Sequence, residues 1–275
     1  MLRRRRRADA PHDLTYENYL CLDRLLDAQR PISEPPHHDE LLFIVQHQTT
    51  ELWVKLILHE LDDVVHELRH DRLRAAFRSL DRIFVIQRQL VEQWSVIATL
   101  KPDRFAEFRP VLGGATGFQS VQLRMLEYRL GDKRAELVEE YDGAFQRDAL
   151  REALVRPTVY DEFIRFLHRA GHPVPVGYLD RVHTCHEEPD QVIVAVLRRV
   201  YEDRHAHAAE YEMAERLVEL EERHQMWRFR HMRTVRRIIG DKHGTGGSRG
   251  VPYLASLVNR PLFPEIYAAR TVLDP

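Results

Sequence analysis

A histidine on an apolar helical face, followed by a glycine-rich segment, is the feature of this sequence best suited to chemistry. His231 repeats at helical spacing with Trp227, Val235 and Ile238, and the arginines interspersed with them are expected to point largely elsewhere. An imidazole held among apolar side chains is either a core histidine with a satisfied hydrogen bond or a ligand to a metal or haem iron. The residues alone leave both interpretations open.

The segment after this helix contains four glycines around two hydroxyl side chains. The glycines are Gly244, Gly246, Gly247 and Gly250, and the hydroxyl groups belong to Thr245 and Ser248. Glycine adopts backbone conformations that other residues avoid, so the segment could wrap around a ligand or move as a lid. No Gly-Lys-Ser/Thr or Gly-x-Gly-x-x-Gly is present, so a phosphate cradle is not expected. The alternative is a plain connection between helices.

A second histidine in an apolar stripe and an arginine at a helix end are further candidates. His47 comes one turn after Phe43 in a predicted helix, and a neutral imidazole beside an aromatic ring could hydrogen-bond a planar heterocycle. Arg109 precedes Pro110, which prevents the helix from continuing smoothly. A guanidinium near an apolar pocket suits the carboxylate of an amino acid. Taken singly, they could equally be a buried histidine and a surface arginine.

Two Glu-x-x-His pairs offer a rival site. Glu67 with His70, and Glu221 with His224, have the spacing found in di-iron helical bundles. Both pairs lie in densely charged segments, which favours solvent-exposed helix faces over an iron site. The same argument places four further residues at the surface: Asp63, His66, His205 and His207.

Long stretches free of glycine and proline must position these residues. Helical periodicity predicts helices over 13–28, 39–69, 72–99, 103–109, 117–131, 147–169, 190–224, 226–239 and 249–258. Strand signals are nearly absent, and helices of this length that pack antiparallel form an all-α bundle. Because no repeat, linker or break in composition is visible, we predict one domain over 13–275, preceded by a disordered basic tail over 1–12.

Composition excludes several classes of protein. The 41 basic and 43 acidic residues give a net charge of −2, so neither a nucleic-acid partner nor a membrane surface is indicated, and the arginine run 3–7 is expected to be a solvated tail. No secretory signal or membrane span is recognisable, and a soluble, cytoplasmic protein is expected. Cys21 and Cys185 form no Cys-x-x-Cys, so neither a disulfide framework nor a thiolate zinc site is predicted.

Five sequence blocks together resemble signature blocks of the tryptophan 2,3-dioxygenase family, in the family's order. They are LTYENYL at 14–20, FIVQHQTTELW at 43–53, GFQSVQLR at 117–124, WRFRH at 227–231 and GTGGSRGV at 244–251. The resemblance covers nearly the whole chain from residue 14. The combination of Phe-x-x-x-His-Gln-Thr with Trp-Arg-x-Arg-His and Gly-Thr-Gly-Gly is highly specific.

This resemblance implies an all-helical enzyme with one haem b per subunit, assembled as a homotetramer. The implied reaction opens the indole ring of L-tryptophan with O₂ to give N-formyl-L-kynurenine, the first step of tryptophan catabolism by the kynurenine pathway. His231 is then the axial haem ligand, and His47 is the distal catalytic histidine that hydrogen-bonds the indole N–H. Arg109 and Thr245 hold the amino-acid end of the substrate. The remaining implied substrate-binding residues are Phe43, Ile44, Val45, Gln46, Phe105 and Leu112, with Tyr16 and Tyr19 supplied by a neighbouring subunit.

Two positions depart from the family's pattern. Phe105 stands where some bacterial members have a tyrosine that also contacts the carboxylate, and Thr50 stands where serine is common. Phe105 removes one polar contact, while Arg109 remains to neutralise the carboxylate. Another indoleamine-type haem dioxygenase, a family member with altered substrate and a non-catalytic haem sensor are the alternatives. Arg109 with Thr245 favours an enzyme, because haem binding alone has no use for a carboxylate clamp.

Overall fold

The computed structural model describes residues 14–185, 188–245 and 250–273. Within these ranges the chain forms thirteen α-helices and no β-strand, which confirms the all-α prediction. In chain order the helices are α1 Tyr16–Leu20, α2 Leu22–Leu25, α3 His38–Arg69, α4 Leu73–Glu92, α5 Trp94–Ile97, α6 Pro102–Phe108, α7 Val121–Arg129, α8 Ala144–Val155, α9 Val159–Arg169, α10 Gln191–Glu202, α11 Ala208–Ile239, α12 Gly250–Val258 and α13 Pro264–Thr271. Four 3₁₀ helices lie between them: Arg109–Leu112, Gly117–Gln119, Ala135–Glu140 and Val176–Tyr178.

Two helices of 32 residues each, α3 and α11, form the core together with α4. One face of α3 carries Val54, Ile57, Leu61, Val64 and Leu68 at helical spacing, and all five are buried. Burial of such a side chain contributes roughly 1.5–3 kcal/mol to folding. Both long helices pack extensively against α4, which therefore lies between them. This arrangement fixes the positions of the side chains that α3 and α11 direct into the interior.

The predicted helix 147–169 is wrong, because the chain forms two helices there. α8 ends at Val155, Arg156 is extended, and α9 begins at Val159. Pro157 explains the break, since proline disfavours a helical conformation at the preceding residue and offers no N–H to the ladder. Thr158 then starts α9 with a capping box, in which it exchanges hydrogen bonds with Asp161.

The predicted division of 190–224 from 226–239 is also wrong. The chain breaks earlier, between α10 and α11, and α11 then runs uninterrupted through residue 225. At the break, the carboxylate of Asp203 accepts the backbone N–H of Ala206 at 3.0 Å, a local hydrogen bond that competes with continuation of the helix.

The predicted N-terminal helix is likewise divided at Cys21, whose φ of 53° is left-handed. No helix was predicted at α13, which starts on Pro264.

Other predictions about the whole chain have mixed outcomes. Both cysteines are free, as expected. None of the helices in the described ranges is both long and apolar enough to cross a bilayer. The basic tail predicted for 1–12 lies outside the described residues, and the single domain over 13–275 stays a prediction.

Candidate functional site

An interior cavity lies among α3, α5, α6, α7, α11 and α12. It encloses about 1290 Å³ of empty space, including its opening to solvent, and its wall is mainly apolar and aromatic. A mainly apolar wall that carries a few polar groups is typical of pockets that bind small molecules and cofactors. Six of the residues predicted from the sequence line the cavity: Phe43, His47, Phe105, Arg109, His231 and Thr245.

His231 lies on the cavity face of α11 against two tryptophans. Its ring stacks on Trp94 with 4.7 Å between centroids and 12° between planes, and the Trp227 ring lies 5.4 Å away. Burial away from water lowers the pKa of His231 to about 4, so the ring is neutral at pH 7. The residue is half-buried and contributes to the cavity wall. Across residues 14–185, 188–245 and 250–273, no side chain or backbone group hydrogen-bonds either ring nitrogen. A neutral imidazole with a free nitrogen is the form that ligates a metal.

His47 is fixed in one tautomer by its own helix. Its Nδ1 lies 2.7 Å from the carbonyl oxygen of Phe43, and because a carbonyl only accepts, Nδ1 must carry the proton. Burial lowers the pKa of His47, which keeps the ring neutral. Its Nε2 is therefore a hydrogen-bond acceptor. The Phe43 ring packs beside it with 4.2 Å between centroids, so the site presents an acceptor next to an aromatic surface.

Arg109 lies at the cavity wall where α6 ends and a 3₁₀ helix begins. Its Nη2 donates to the backbone carbonyl of His243, which ties the end of α6 to the segment carrying Thr245. No carboxylate pairs with Arg109 in the part of the chain that the structure describes. The guanidinium is thus available for an anionic group of a ligand. Gly246, Gly247 and Ser248, which belong to the predicted ligand-binding loop, lie outside the described residues.

Four residues of the predicted substrate site do not line the cavity in the single chain. They are Ile44, Val45, Gln46 and Leu112. Val45 is exposed, Gln46 is buried with its side-chain nitrogen unpartnered, and Leu112 packs against the core. Adjacency in sequence to Phe43 and His47 therefore does not bring the intervening residues to the cavity wall, because a helix turns them to other directions.

Tyr16 and Tyr19 are also outside the cavity of the single chain. They are 76% and 71% exposed on α1, and neither α1 nor α2 contains a buried residue. Exposed aromatic surface on a segment with no buried residue is typical of an interaction site.

The two positions that depart from the family's pattern have different surroundings. Phe105 is buried in the cavity wall and stacks on Phe43 with 5.7 Å between centroids, so its ring adds apolar surface to the site. Thr50 donates to the Gln46 carbonyl at 2.9 Å and accepts from Gln93 Nε2 at 2.7 Å. The Thr50 hydroxyl thus bonds within the protein and does not face the cavity.

Sequence reasoning missed a buried cluster of charges at one side of the cavity. Arg228 Nη2 lies 2.7 Å from Asp132 Oδ2 and 3.1 Å from Glu127 Oε1, while Arg124 pairs with Glu127 and Arg134 with both acids. The Nε atoms of Arg124 and Arg228 are buried without a hydrogen-bond partner. Both arginines also contribute to the cavity wall.

Arg228 was predicted to point away from His231, and that expectation is wrong. Arg228 is 3% exposed and lies on the cavity wall. The signal was available, because residues three apart on a helix share a face, and Arg228 precedes His231 by three positions. The other members of the cluster come from α7 and the turn after it, which no local pattern in α11 could indicate.

The rival pairs of glutamate and histidine do not form one site. Glu67 is bound by Arg72, whereas Glu221 accepts the backbone N–H groups of Leu262 and Phe263 at 2.9 and 3.0 Å. The predicted exposure of Glu221 and its partner His224 is wrong, since both are buried. The buried Glu221 carboxylate holds the backbone of the segment before α13. The two Glu-x-x-His pairs are therefore not brought together around an iron site.

The surface prediction holds for Asp63, His66 and His205 and fails for His207. The first three are exposed, although Asp63 accepts a hydrogen bond from Ser79. His207 is half-buried, with its ring 4.7 Å from that of His172.

The fold and site define an all-helical protein with one interior cavity whose mainly apolar wall includes two neutral histidines and an arginine at a helix end. Residues 4–169 and 186–273 match the family model described as tryptophan 2,3-dioxygenase. The chain is 50% identical to tryptophan 2,3-dioxygenase of Saccharopolyspora erythraea, over 96% of this chain and 94% of the relative. The relatives of that name from Kineococcus radiotolerans and Myxococcus xanthus are each 49% identical, over 96% and 95% of this chain and 92% and 90% of their own lengths. The chain belongs to the tryptophan 2,3-dioxygenase family.

Proposed function

We propose that this chain is a haem-dependent oxidoreductase that opens the indole ring of L-tryptophan with O₂ and forms N-formyl-L-kynurenine. The observation that carries the proposal is the neutral, unpartnered imidazole of His231 in an apolar cavity that also holds His47 and Arg109. Membership of the tryptophan 2,3-dioxygenase family supports the same reaction.

The residues present fit haem b, a flat apolar macrocycle with two carboxylates. His231 would be its axial ligand, and the aromatic and aliphatic wall would contact the ring. Arg124 and Arg228 would hold a propionate, because their buried Nε donors lack partners. When bound, the haem would supply the activation of O₂.

The other cavity residues would bind and orient the substrate. The Nε2 acceptor of His47 suits the indole N–H, and the rings of Phe43 and Phe105 suit its flat face. Arg109 would neutralise the carboxylate, and Thr245 would contact the carboxylate and ammonium end. Fixing both ends of the substrate keeps its indole ring in one orientation and lowers the entropic barrier to reaction. Roles of Ile44, Val45, Gln46 and Leu112 remain part of this proposal.

We further propose a homotetramer in which Tyr16 and Tyr19 complete the cavity of a neighbouring copy. Leu26 and Ile32 are also well exposed beside them. Burial of apolar surface contributes about 25 cal/mol per Å², which favours association through this segment. The cytoplasmic location predicted from the sequence belongs to the same proposal.

Two variants test the haem site and the substrate site separately. His231→Ala should lose stoichiometric haem, because it removes the proposed ligand, as measured by the Soret band and iron content. Arg109→Met should keep haem and raise the tryptophan KM about 10- to 150-fold, since a hydrogen bond to a charged group contributes ~1.5–3 kcal/mol. Arg104→Met, in α6 five residues before Arg109 and paired with Asp39 and Glu107, is the matched control and should keep the wild-type KM.

The outcomes separate the parts of the proposal. A His231→Ala protein with normal haem content and turnover would exclude His231 as the ligand. If the wild-type chain binds haem, and that haem is reduced to the ferrous state, but tryptophan and O₂ then give no formylkynurenine, the chain would instead be a haem-binding protein without this activity.

A further inference from the structure

Three side chains converge far from the cavity, where the turn after α9 meets the start of α11. His172 lies just beyond α9, His207 immediately precedes α11, and Glu210 lies in the first turn of α11. One ligand atom from each lies within 4.8 Å of the others. His172 Nε2 is 3.5 Å from Glu210 Oε1, and the two imidazole rings are 4.7 Å apart.

The burial of this cluster requires explanation. The His172 residue is 8% exposed, and its ring makes no hydrogen bond to any residue in the described ranges. The Glu210 carboxylate lies 3.5 Å from His172 Nε2, which is longer than an ordinary hydrogen bond, and one carboxylate with two imidazoles this close together forms a set of metal-ligand donors. The side chain of Glu210 is also largely buried, while His207 is half-buried and makes no capping bond to α11.

We propose that His172, His207 and Glu210 bind a divalent metal ion of the zinc class, with water as the fourth ligand. Two histidines and one glutamate form a donor set that zinc accepts in tetrahedral geometry. Metal–ligand distances of ~2.0–2.1 Å place neighbouring ligand atoms about 3.3–3.5 Å apart. The distance from His172 to Glu210 already meets this requirement, and a small side-chain adjustment of His207 completes it. Calcium and magnesium prefer oxygen ligands and do not fit this set.

The proposed ion is separate from the cofactor. Glu210 and His231 lie on the same helix, and at 1.5 Å per residue they are about 30 Å apart. An ion at this position would tie the turn after α9 to the beginning of α11, across the intervening helix α10. Its effect is therefore expected on stability rather than on the reaction, since ligation holds these segments in their native arrangement.

Zinc binding to the full-length, haem-loaded protein without a polyhistidine tag tests the proposal. Calorimetric titration with Zn²⁺ should show one tight site, and zinc K-edge absorption should show nitrogen and oxygen ligands near 2.0 Å. His207→Ala and Glu210→Gln should each weaken zinc binding by more than about 100-fold. Substitution of a residue that only contacts a metal ligand typically weakens binding about 10- to 100-fold, and loss of a ligand itself should have a larger effect. These two positions are less buried than His172 and are safer for folding. His205→Ala, two residues from His207 and exposed, is the matched control and should bind like the wild type.

A thermal readout distinguishes this site from adventitious binding. Zn²⁺ should raise the Tm of the wild type and of His205→Ala, leave the Tm of His207→Ala unchanged and not alter the Soret band of any of them. Mg²⁺ at the same concentration should raise no Tm. Equal zinc affinity in His207→Ala and wild type would overturn the proposal, as would loss of binding in His66→Ala, which would assign the ion to the exposed His66 and His70 pair.

Discussion

His47 is an acceptor toward the cavity because its only proton on nitrogen is committed to the Phe43 carbonyl. A general base works best when its pKa is near the working pH, and burial moves the pKa of His47 below its ordinary value. The ring is therefore better suited to orient an N–H donor than to remove a proton. A residue four positions earlier in α3 thus determines what the histidine can recognise.

At the same scale, His231 should make the stability of the haem-free protein depend on pH. Its folded pKa of about 4 lies below its unfolded value of 6.5, so its stabilising effect is complete above pH 6.5 and is lost as the pH falls toward 4. Replacing His231 with Phe removes this titration. Between pH 7 and pH 5, the unfolding free energy of the wild type should fall by up to about 2 kcal/mol more than that of His231→Phe.

Urea unfolding of the two haem-free proteins at both pH values measures this difference. His47 and His224 also have lowered pKa values, but both are present in each protein, so the difference reports on His231 together with its electrostatic interaction with His47. An equal loss of stability in the two proteins would show that the His231 ring is not desolvated in the absence of haem.

The residues predicted correctly for the cavity are those whose signal is local in sequence. His47 and His231 share helical faces with apolar neighbours, and Arg109 precedes a proline at a helix end. The arginine cluster has no such signal, because the acids that pair with Arg228, Glu127 and Asp132, lie about a hundred residues earlier in the chain. Charge alone predicts exposure, and only the three-dimensional pairing makes these arginines stable inside the protein.

At the scale of elements, α12 approaches the segment before it unusually closely. Gly250, its first residue, has a φ of +62°, and a Cβ there would lie 2.7 Å from the Lys242 carbonyl oxygen. This approach sets the position of the 242–245 segment, which includes the His243 carbonyl that holds Arg109. Glycine is therefore required at position 250 for a steric reason that the sequence did not reveal.

Gly250→Ala should displace this segment and weaken substrate binding. Positive φ at a residue with a side chain costs about 1–3 kcal/mol, and the Lys242 backbone must also move. We expect a lower Tm and a raised tryptophan KM, measured by thermal unfolding and steady-state kinetics. Gly177→Ala is the matched control, because a Cβ at Gly177 meets nothing within 4 Å and its φ is ordinary. An unchanged KM in Gly250→Ala would mean that the 242–245 segment does not position Arg109.

Helix prediction was accurate where one apolar stripe is long and uninterrupted. The prediction of 39–69 begins one residue after α3 begins and ends where α3 ends, because 32 residues of consistent periodicity outweigh local preferences. It failed where one residue decides the outcome, as Pro157 does between α8 and α9 and Asp203 does after α10. Such breaks follow from local backbone chemistry and require reading each residue rather than the average pattern.

At the scale of the whole molecule, the all-α class followed from helical periodicity and the scarcity of strand signals. The cavity could not be predicted from those signals, because its volume depends on the relative positions of α3, α5, α6, α7, α11 and α12. The convergence of His172, His207 and Glu210 also depends on tertiary structure, since α10 separates the first residue from the other two.

The unburied helices α1 and α2 have a genetic consequence if their tyrosines serve a neighbouring copy's cavity. A copy lacking residues 1–22 retains its own His231 and Arg109, whereas an Arg109→Met copy retains its own tyrosines. Each is impaired alone, but in a mixed tetramer the first copy's cavity can receive the second copy's Tyr16 and Tyr19. Random mixing of equal amounts should restore roughly one site in four to wild-type composition.

Co-expression of the two variants, followed by activity assays at low tryptophan concentration, measures this complementation. Copies lacking only residues 1–12 keep their tyrosines and should need no such rescue. Activity equal to the average of the two separate variants would show that each cavity is built from one polypeptide. Restored activity would show that each working site needs residues from two polypeptides. Two different defective alleles could then compensate for each other in one cell.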